Sequence, residues 1–214
     1  FDLDGTLIDS LKDLAYSVNE MLAMRGLPVH SLEEYRYFVG NGPKRLIERA
    51  LPEDKRIDAK FLEGALSGFK SIYAIHNRDN TRPYDGVSEM VAKLRELHIP
   101  LGVCTNKHQE AAESLVRDFF PADIFCSVIG YKEGFLPKPN PRKALVVADA
   151  LGVSPAEVAY LGDSGVDMET AVNAGFLPVG VLWGFRPREE LLASGAKVLL
   201  ERPAQLFSKV KFYG

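Results

Sequence analysis

Four short stretches of the 214-residue sequence carry side chains that could do chemistry together. The first is Phe1-Asp2-Leu3-Asp4-Gly5-Thr6. In an extended strand end, Asp2 and Asp4 point to the same side. Carboxylates that close repel unless a cation lies between them or one keeps its proton. Mg²⁺ would resolve the conflict, because it prefers hard oxygen ligands and retains waters and a substrate phosphate. An acidic surface turn would satisfy the same spelling. The second stretch, Val103-Cys104-Thr105-Asn106-Lys107, puts a hydroxyl and an amide at a strand tip before a helix start. Such a tip is an anion site with Thr105 as donor, or Thr105 simply caps the helix. The third, Pro137-Lys138-Pro139-Asn140-Pro141, holds a lysine on a loop stiffened by three prolines, either as a fixed charge for phosphate or facing solvent. The fourth, Gly162-Asp163-Ser164-Gly165-Val166-Asp167, places Asp163 at a strand end and Asp167 in the first turn of the next helix. An N-cap with one acidic neighbour would look the same.

The elements that must position these residues read as an α/β fold with a mostly parallel sheet. Strands are predicted at Ile99 to Thr105, Val158 to Leu161, Pro178 to Leu182 and Val198 to Leu200, with Phe1 the last residue of another. Helix spacing recurs at Val87, Met90, Val91, Leu94 and Leu97, and again at Ala144, Leu145, Ala148 and Leu151 before Gly152. A short helix is expected around Arg188 to Leu191.

From about Leu11 to Arg82 the signals are helical only. Asp9 or Ser10 can cap a helix bearing Leu11, Leu14, Ala15, Val18, Met21 and Leu22, ending near Gly26. Ser31 and Glu34 fit a capping box, Pro43 opens another helix after Gly40-Asn41-Gly42, and a long helical stretch runs from Asp54 to His76. Arg82-Pro83-Tyr84-Asp85-Gly86 reads as a hinge. The predicted organisation is therefore a Rossmann-like parallel-sheet core of residues 1–10 and 83–214, with a small all-helical domain of residues 11–82 inserted into it. Each of the four chemical stretches falls at a carboxyl strand end, where open parallel sheets bind ligands.

Composition excludes several alternatives. A formal net charge of −3 offers no basic field for a nucleic-acid backbone. No apolar run approaches the ~20 residues of a membrane-spanning helix. Cys104 and Cys126 lie in apolar stretches read as buried strands and lack the spacing of a zinc or redox motif, so reduced thiols of a cytoplasmic protein are expected. His30, His76, His98 and His108 are scattered and form no metal or triad spacing. The chain opens on Phe1, directly in the acidic motif, so its native N-terminus is expected to lie upstream.

In this order, FDLDGT, VCTN, the KPNP lysine and GDSGVD resemble the four motifs of haloacid dehalogenase-type phosphatases, and the resemblance covers essentially the whole chain. It implies that Asp2 attacks phosphorus and forms an aspartyl phosphate, with Asp4 as general acid and then general base. It further implies Mg²⁺ held by the Asp2 carboxylate, the Asp4 backbone carbonyl and the Asp163 carboxylate, with Asp167 supporting directly or through water. Thr105, the Asn106 backbone N–H and Lys138 would neutralise the phosphoryl oxygens. Dehalogenases of the family lack the second aspartate, so Asp4 argues for phosphoryl transfer. Phe38-Val39-Gly40-Asn41-Gly42 with Lys44 and Arg45 resembles the cap loop of phosphoglycolate phosphatases, as do Tyr84-Asp85-Gly86-Val87 and Thr105-Asn106-Lys107. On that resemblance Gly42 and Arg45 would contribute to substrate specificity, Arg45 through a substrate carboxylate. Lys44 and Arg45 as a solvated helix face is an equal alternative. The implied partner is a small-molecule phosphate ester, and the protein is expected as a monomer or homodimer. A phosphomutase of the β-phosphoglucomutase type, a pyrophosphatase, a sugar phosphatase and a non-enzymatic module of the same fold remain the rival readings.

Overall fold

The computed structural model describes residues 1–132 and 134–212. After residues 1–3 the chain turns into β1 (Ile8–Asp9) and then runs through five helices, α1 (Leu11–Ala23), α2 (Leu32–Phe38), α3 (Pro43–Ala50), α4 (Glu53–Arg56) and α5 (Ala59–His76). It returns through β2 (Arg82–Pro83), antiparallel to β1. From there helices and strands alternate: α6 (Val87–Glu96), β3 (Gly102–His108), α7 (Gln109–Phe119), β4 (Ser127–Tyr131), α8 (Arg142–Leu151), β5 (Ala159–Gly162), α9 (Gly165–Ala174), β6 (Leu177–Val181), α10 (Arg188–Ala193), β7 (Val198–Leu200) and α11 (Leu206–Lys209).

Residues 1–3 join two strand groups into one sheet. The Phe1 amine donates to Gly102 O (2.9 Å), Cys104 N donates to Phe1 O (2.8 Å), and Asp2 N donates to Leu161 O (2.9 Å). The segment therefore lies between β3 and β5 in a parallel pattern, and β4 flanks β3 while β6 and β7 follow β5 in parallel. Numbered along the chain, these six segments take the order 3-2-1-4-5-6. The order reverses beside Asp2, and a ligand crevice opens at such a switch point. Leu3, Leu7, Val103, Leu161, Val179 and Val181 fill the sheet's apolar core, each contributing about 1.5–3 kcal/mol of burial free energy.

Helices α1–α5 enclose a second apolar cluster, with Leu14, Val18, Met21, Tyr35, Ile47 and Phe69 among its buried members. Local signals explain much of their geometry. Ser31 and Glu34 form the capping box, and Pro43 occupies the first position of α3. Other expectations need correction. The helical stretch expected from Asp54 to His76 is broken at 57–58, where the Asp58 side chain accepts from Phe61 N and starts α5 afresh. Of the two cysteines read as strand-buried, Cys104 is buried but Cys126 is exposed, just before β4. Ser10 stands at the N-cap of α1, yet its hydroxyl donates to Asp4 rather than serving the helix, and Asp9 accepts from Leu11 N.

Candidate active site

Asp2, Asp163 and Asp167 are all buried, and each offers a carboxylate oxygen within 4.8 Å of the others. Strand geometry delivers the first two: Asp2 is hydrogen-bonded to β5, and Asp163 is the next residue after β5. Asp167 enters from the first turn of α9, where it also closes a capping box with Ser164. Gly5 makes the approach feasible, since with φ +84° it turns the chain so tightly that a Cβ there would collide with the Asp163 carboxylate. Asp163 accepts from Phe185 N (2.8 Å) and from the Thr6 hydroxyl (3.3 Å).

The Lys138 ammonium lies against two of these carboxylates. Lys138 Nζ lies 2.6 Å from Asp167 Oδ1 and 2.8 Å from Asp2 Oδ1. It also donates to Tyr160 OH (3.0 Å) and Cys104 O (3.2 Å). Burial alone would push the Lys138 ammonium down, but Asp167 and Asp2 outweigh it and push it up, so the lysine stays charged. Burial, then the charges of Asp167 and Asp2, push the Asp163 carboxyl well above its usual range, and burial likewise raises Asp167 against the pull of Lys138. Asp2 Oδ1, although close to Lys138, accepts no well-directed hydrogen bond. A divalent cation among these hard oxygens would relieve the repulsion and give Asp2 its missing partner, so the donor set fits such an ion.

Thr105 and Asn106 lie in a different local structure from the one expected. β3 continues to His108 with an irregularity between Cys104 and His108, and α7 is entered from His108. Thr105 therefore does not cap the helix; its oxygen accepts from Lys107 N (3.2 Å). Asn106 ties three segments together. Its amide donates to Gly40 O (3.1 Å) and Lys138 O (3.3 Å), and its carbonyl oxygen accepts from Lys138 N (2.8 Å) and Lys143 Nζ (3.0 Å). Lys143, which carried no mark in the sequence, is wholly buried and donates also to Thr105 O (2.6 Å). Burial, with some repulsion from Lys138, pushes its ammonium down to about 8.

Asp4 sits beside this cluster at the cleft. Lys107 Nζ contacts both its carboxylate oxygens (2.9 and 3.0 Å) and donates to Tyr73 OH of α5 (2.7 Å), while Ser10 donates at 2.5 Å. Burial pushes the Tyr73 hydroxyl up to about 12, so it remains protonated. A cavity of about 550 Å³ opens between the sheet and α1–α5, with Asp2, Asp4 and Thr105 on one wall and Leu14, Leu46 and Phe69 on the other. Gly42 lines it, close to Asn106 O. Arg45 is not brought to the cleft: its side chain is 68% exposed and pairs with Glu48 at 2.8 Å. Arg49 holds the neighbouring turn by donating to Tyr37 O, Phe38 O and Asn41.

A model of the haloacid dehalogenase-like hydrolase family matches residues 1–181. The chain belongs to this family. It is 33% identical over 213 residues to a phosphoglycolate phosphatase of Chromobacterium violaceum, covering 99% of this chain and 95% of that protein. A phosphoglycolate phosphatase of Neisseria meningitidis serogroup A is 36% identical over 190 residues, 86% and 80% of the two chains. A crystal structure from Lactobacillus delbrueckii subsp. bulgaricus, assigned as a phosphoglycolate phosphatase, superposes with a TM-score of 0.89 at 29% identity, covering 96% and 94% of the two chains. The haloacid dehalogenase-like chain is thus a phosphatase with a Rossmann-like core and helical cap. None of its described helices is long and apolar enough to cross a membrane.

Proposed function

We propose that this phosphatase hydrolyses small phosphate monoesters, 2-phosphoglycolate foremost, with Mg²⁺ and through an aspartyl phosphate on Asp2. The observation that carries the reading is the buried Asp2 carboxylate at the cleft wall, with one oxygen lacking a directed donor and the Lys138 ammonium beside it. Phosphatases of this family generally use Mg²⁺; the carboxylates of Asp2 and Asp163 and the Asp4 carbonyl would hold it, with Asp167 directly or through water. Bound there, it supplies positive charge to the phosphoryl oxygens and to the attacking carboxylate.

The chain's own groups divide the rest of the work. An Asp2 oxygen forms the bond to phosphorus as the ester P–O bond breaks, and Asp4 delivers a proton to the departing oxygen. Water then attacks the aspartyl phosphate, Asp4 takes its proton, and inorganic phosphate and free Asp2 are regenerated. Lys138, the Thr105 hydroxyl and the Asn106 N–H stabilise the phosphoryl oxygens as charge spreads over them. Residues 11–82 act as the cap over a core of 1–10 and 83–214, a division supported by the separate apolar cluster of α1–α5. Gly42 shapes specificity from the cleft wall, whereas Arg45 would reach a substrate carboxylate only on leaving Glu48. The relatives' activity supports 2-phosphoglycolate as substrate.

The test is phosphate release from a panel of small esters including 2-phosphoglycolate, with and without Mg²⁺. Mg²⁺-dependent release, fastest from 2-phosphoglycolate and lost in Asp2→Asn, is expected. Silence across the panel would contradict the hydrolase reading, and an isomerised sugar phosphate in place of free phosphate would make the protein a mutase.

A further inference from the structure

Residues 183–186, which follow β6, touch the carboxylate cluster and the α1–α5 helices within four positions. Trp183 Nε1 donates to Thr6 O (3.0 Å), beside the Asp2–Asp4 segment. Gly184 presses so closely on Asp163 and Gly5 that any side chain there would strike the Asp163 Cβ and the Gly5 carbonyl oxygen. Phe185 N donates to Asp163 Oδ2 (2.8 Å), and the Phe185 ring is buried in the α1–α5 apolar cluster, the one core-side residue among that cluster's described buried members. Arg186 donates to Val39 O (2.8 Å) and Tyr37 O (3.4 Å) at the end of α2, and Arg36 of α2 donates back to Gly184 O (3.3 Å).

One residue thus has its backbone on a candidate metal-binding carboxylate and its side chain in the cap. The Phe185 N–H fixes the turn of the Asp163 carboxylate, leaving Oδ1, which accepts only the long bond from Thr6, for a cation. Gly184 packs against Asp163 and Gly5 on the core side, while Phe185, Arg186 and the Arg36 bond to Gly184 O tie the same four residues to the cap. We propose that residues 183–186 couple cation binding at Asp163 to the seating of α1–α5 over the cleft, with Phe185 and Arg186 as positioning residues. The proposal rests on the reading above that Asp163 holds Mg²⁺. Coupling between two sites is reciprocal, so a seated cap tightens Mg²⁺ binding as much as Mg²⁺ steadies the cap.

The test uses the whole chain and Mg²⁺ alone. Calorimetry gives the Mg²⁺ dissociation constant, and amide hydrogen exchange in α2 reports the cap, for the wild type, Phe185→Ala and Arg186→Gln. Mg²⁺ is expected to slow exchange in α2 of the wild type. Each variant should bind Mg²⁺ about fivefold more weakly or worse and lose the slowing in α2, with Phe185→Leu recovering part of both. If Phe185→Ala fails to fold, Arg186→Gln, which removes no buried apolar group, decides. Unchanged affinity and undiminished slowing in the variants would overturn the coupling while leaving the Mg²⁺ site standing. Exchange in wild-type α2 that ignores bound Mg²⁺ would overturn it too. No Mg²⁺ binding by the wild type would overturn the metal reading itself, and the coupling with it.

Discussion

Asp4 has its carboxylate held from two sides, by the Ser10 hydroxyl at 2.5 Å and by Lys107 at 2.9 and 3.0 Å, and Lys107 reaches on to Tyr73 of α5. Burial works against the Lys107 charge, but Asp4 and Tyr73 overcome it and push the ammonium up. Replacing Lys107 with Met would leave Asp4 without its cation and misplace the carboxyl proposed as acid and base. Steady-state kinetics of Lys107→Met should show kcat lower by about 100-fold or more, the scale of general acid–base catalysis, with KM changed far less. Lys107→Arg, which keeps the charge but not the compact contact to Tyr73, should recover part of the loss. A wild-type kcat in Lys107→Met would contradict the positioning role. Asp2 and Asp4 were singled out as carboxylates two positions apart in an extended strand end; the chain bends at Leu3 instead, and both still line the cleft. Lys107 was marked only as the end of the Thr105-Asn106-Lys107 run, with no role, and Lys143 was not marked at all. Their partners lie on distant segments, Tyr73 being 34 positions from Lys107, so neither contact could be read locally.

Helix α1 and the return segment after α5 are joined by Asp13, a buried carboxylate that accepts from Asn80 N, Asn80 Nδ2, Thr81 N and the Thr81 hydroxyl. Burial raises its carboxyl, but the donors of Thr81 and Asn80 outweigh that and hold it below the usual carboxylate range. A depressed folded value means that Asp13 stabilises the fold fully above its unfolded value of about 3.9 and loses that contribution as pH falls through the folded value. Urea midpoints measured from neutral pH down to acid should therefore fall more steeply for the wild type than for Asp13→Asn. The variant should start lower by about 1–3 kcal/mol. Parallel curves would contradict the assignment. At this scale the sequence was legible wherever one residue type dictates a local geometry, as at Ser31, Pro43 and Gly152. It was illegible for β1 and β2, two residues each, which exist through pairing across the whole α1–α5 insertion. The extension of β3 to His108 was hidden for a related reason: pairing with β4 across the irregularity, rather than local preference, carries it.

For the molecule as a whole, the alternation of strand and helix signals was enough to imply a parallel sheet with its chemistry at the carboxyl ends. The order 3-2-1-4-5-6 brings Asp2 and Asp163 onto adjacent segments, which places the reversal point and the acidic cluster together. How α1–α5 lie over that point could not be read from amphipathic spacing, which fixes the face a helix buries but not the direction in which the bundle leans. That placement is carried by cross-chain bonds such as Asn106 to Gly40 O, Lys107 to Tyr73, and Arg186 to Val39 O. On the proposed mechanism Asp2 becomes phosphorylated during turnover. The most direct measurement is mass spectrometry of the enzyme quenched in acid while it hydrolyses 2-phosphoglycolate with Mg²⁺. A phosphoryl group is expected on the peptide that carries Asp2, missing from Asp2→Asn and from enzyme kept without Mg²⁺. Turnover in full with Asp2 never phosphorylated, or undiminished in Asp2→Asn, would contradict it.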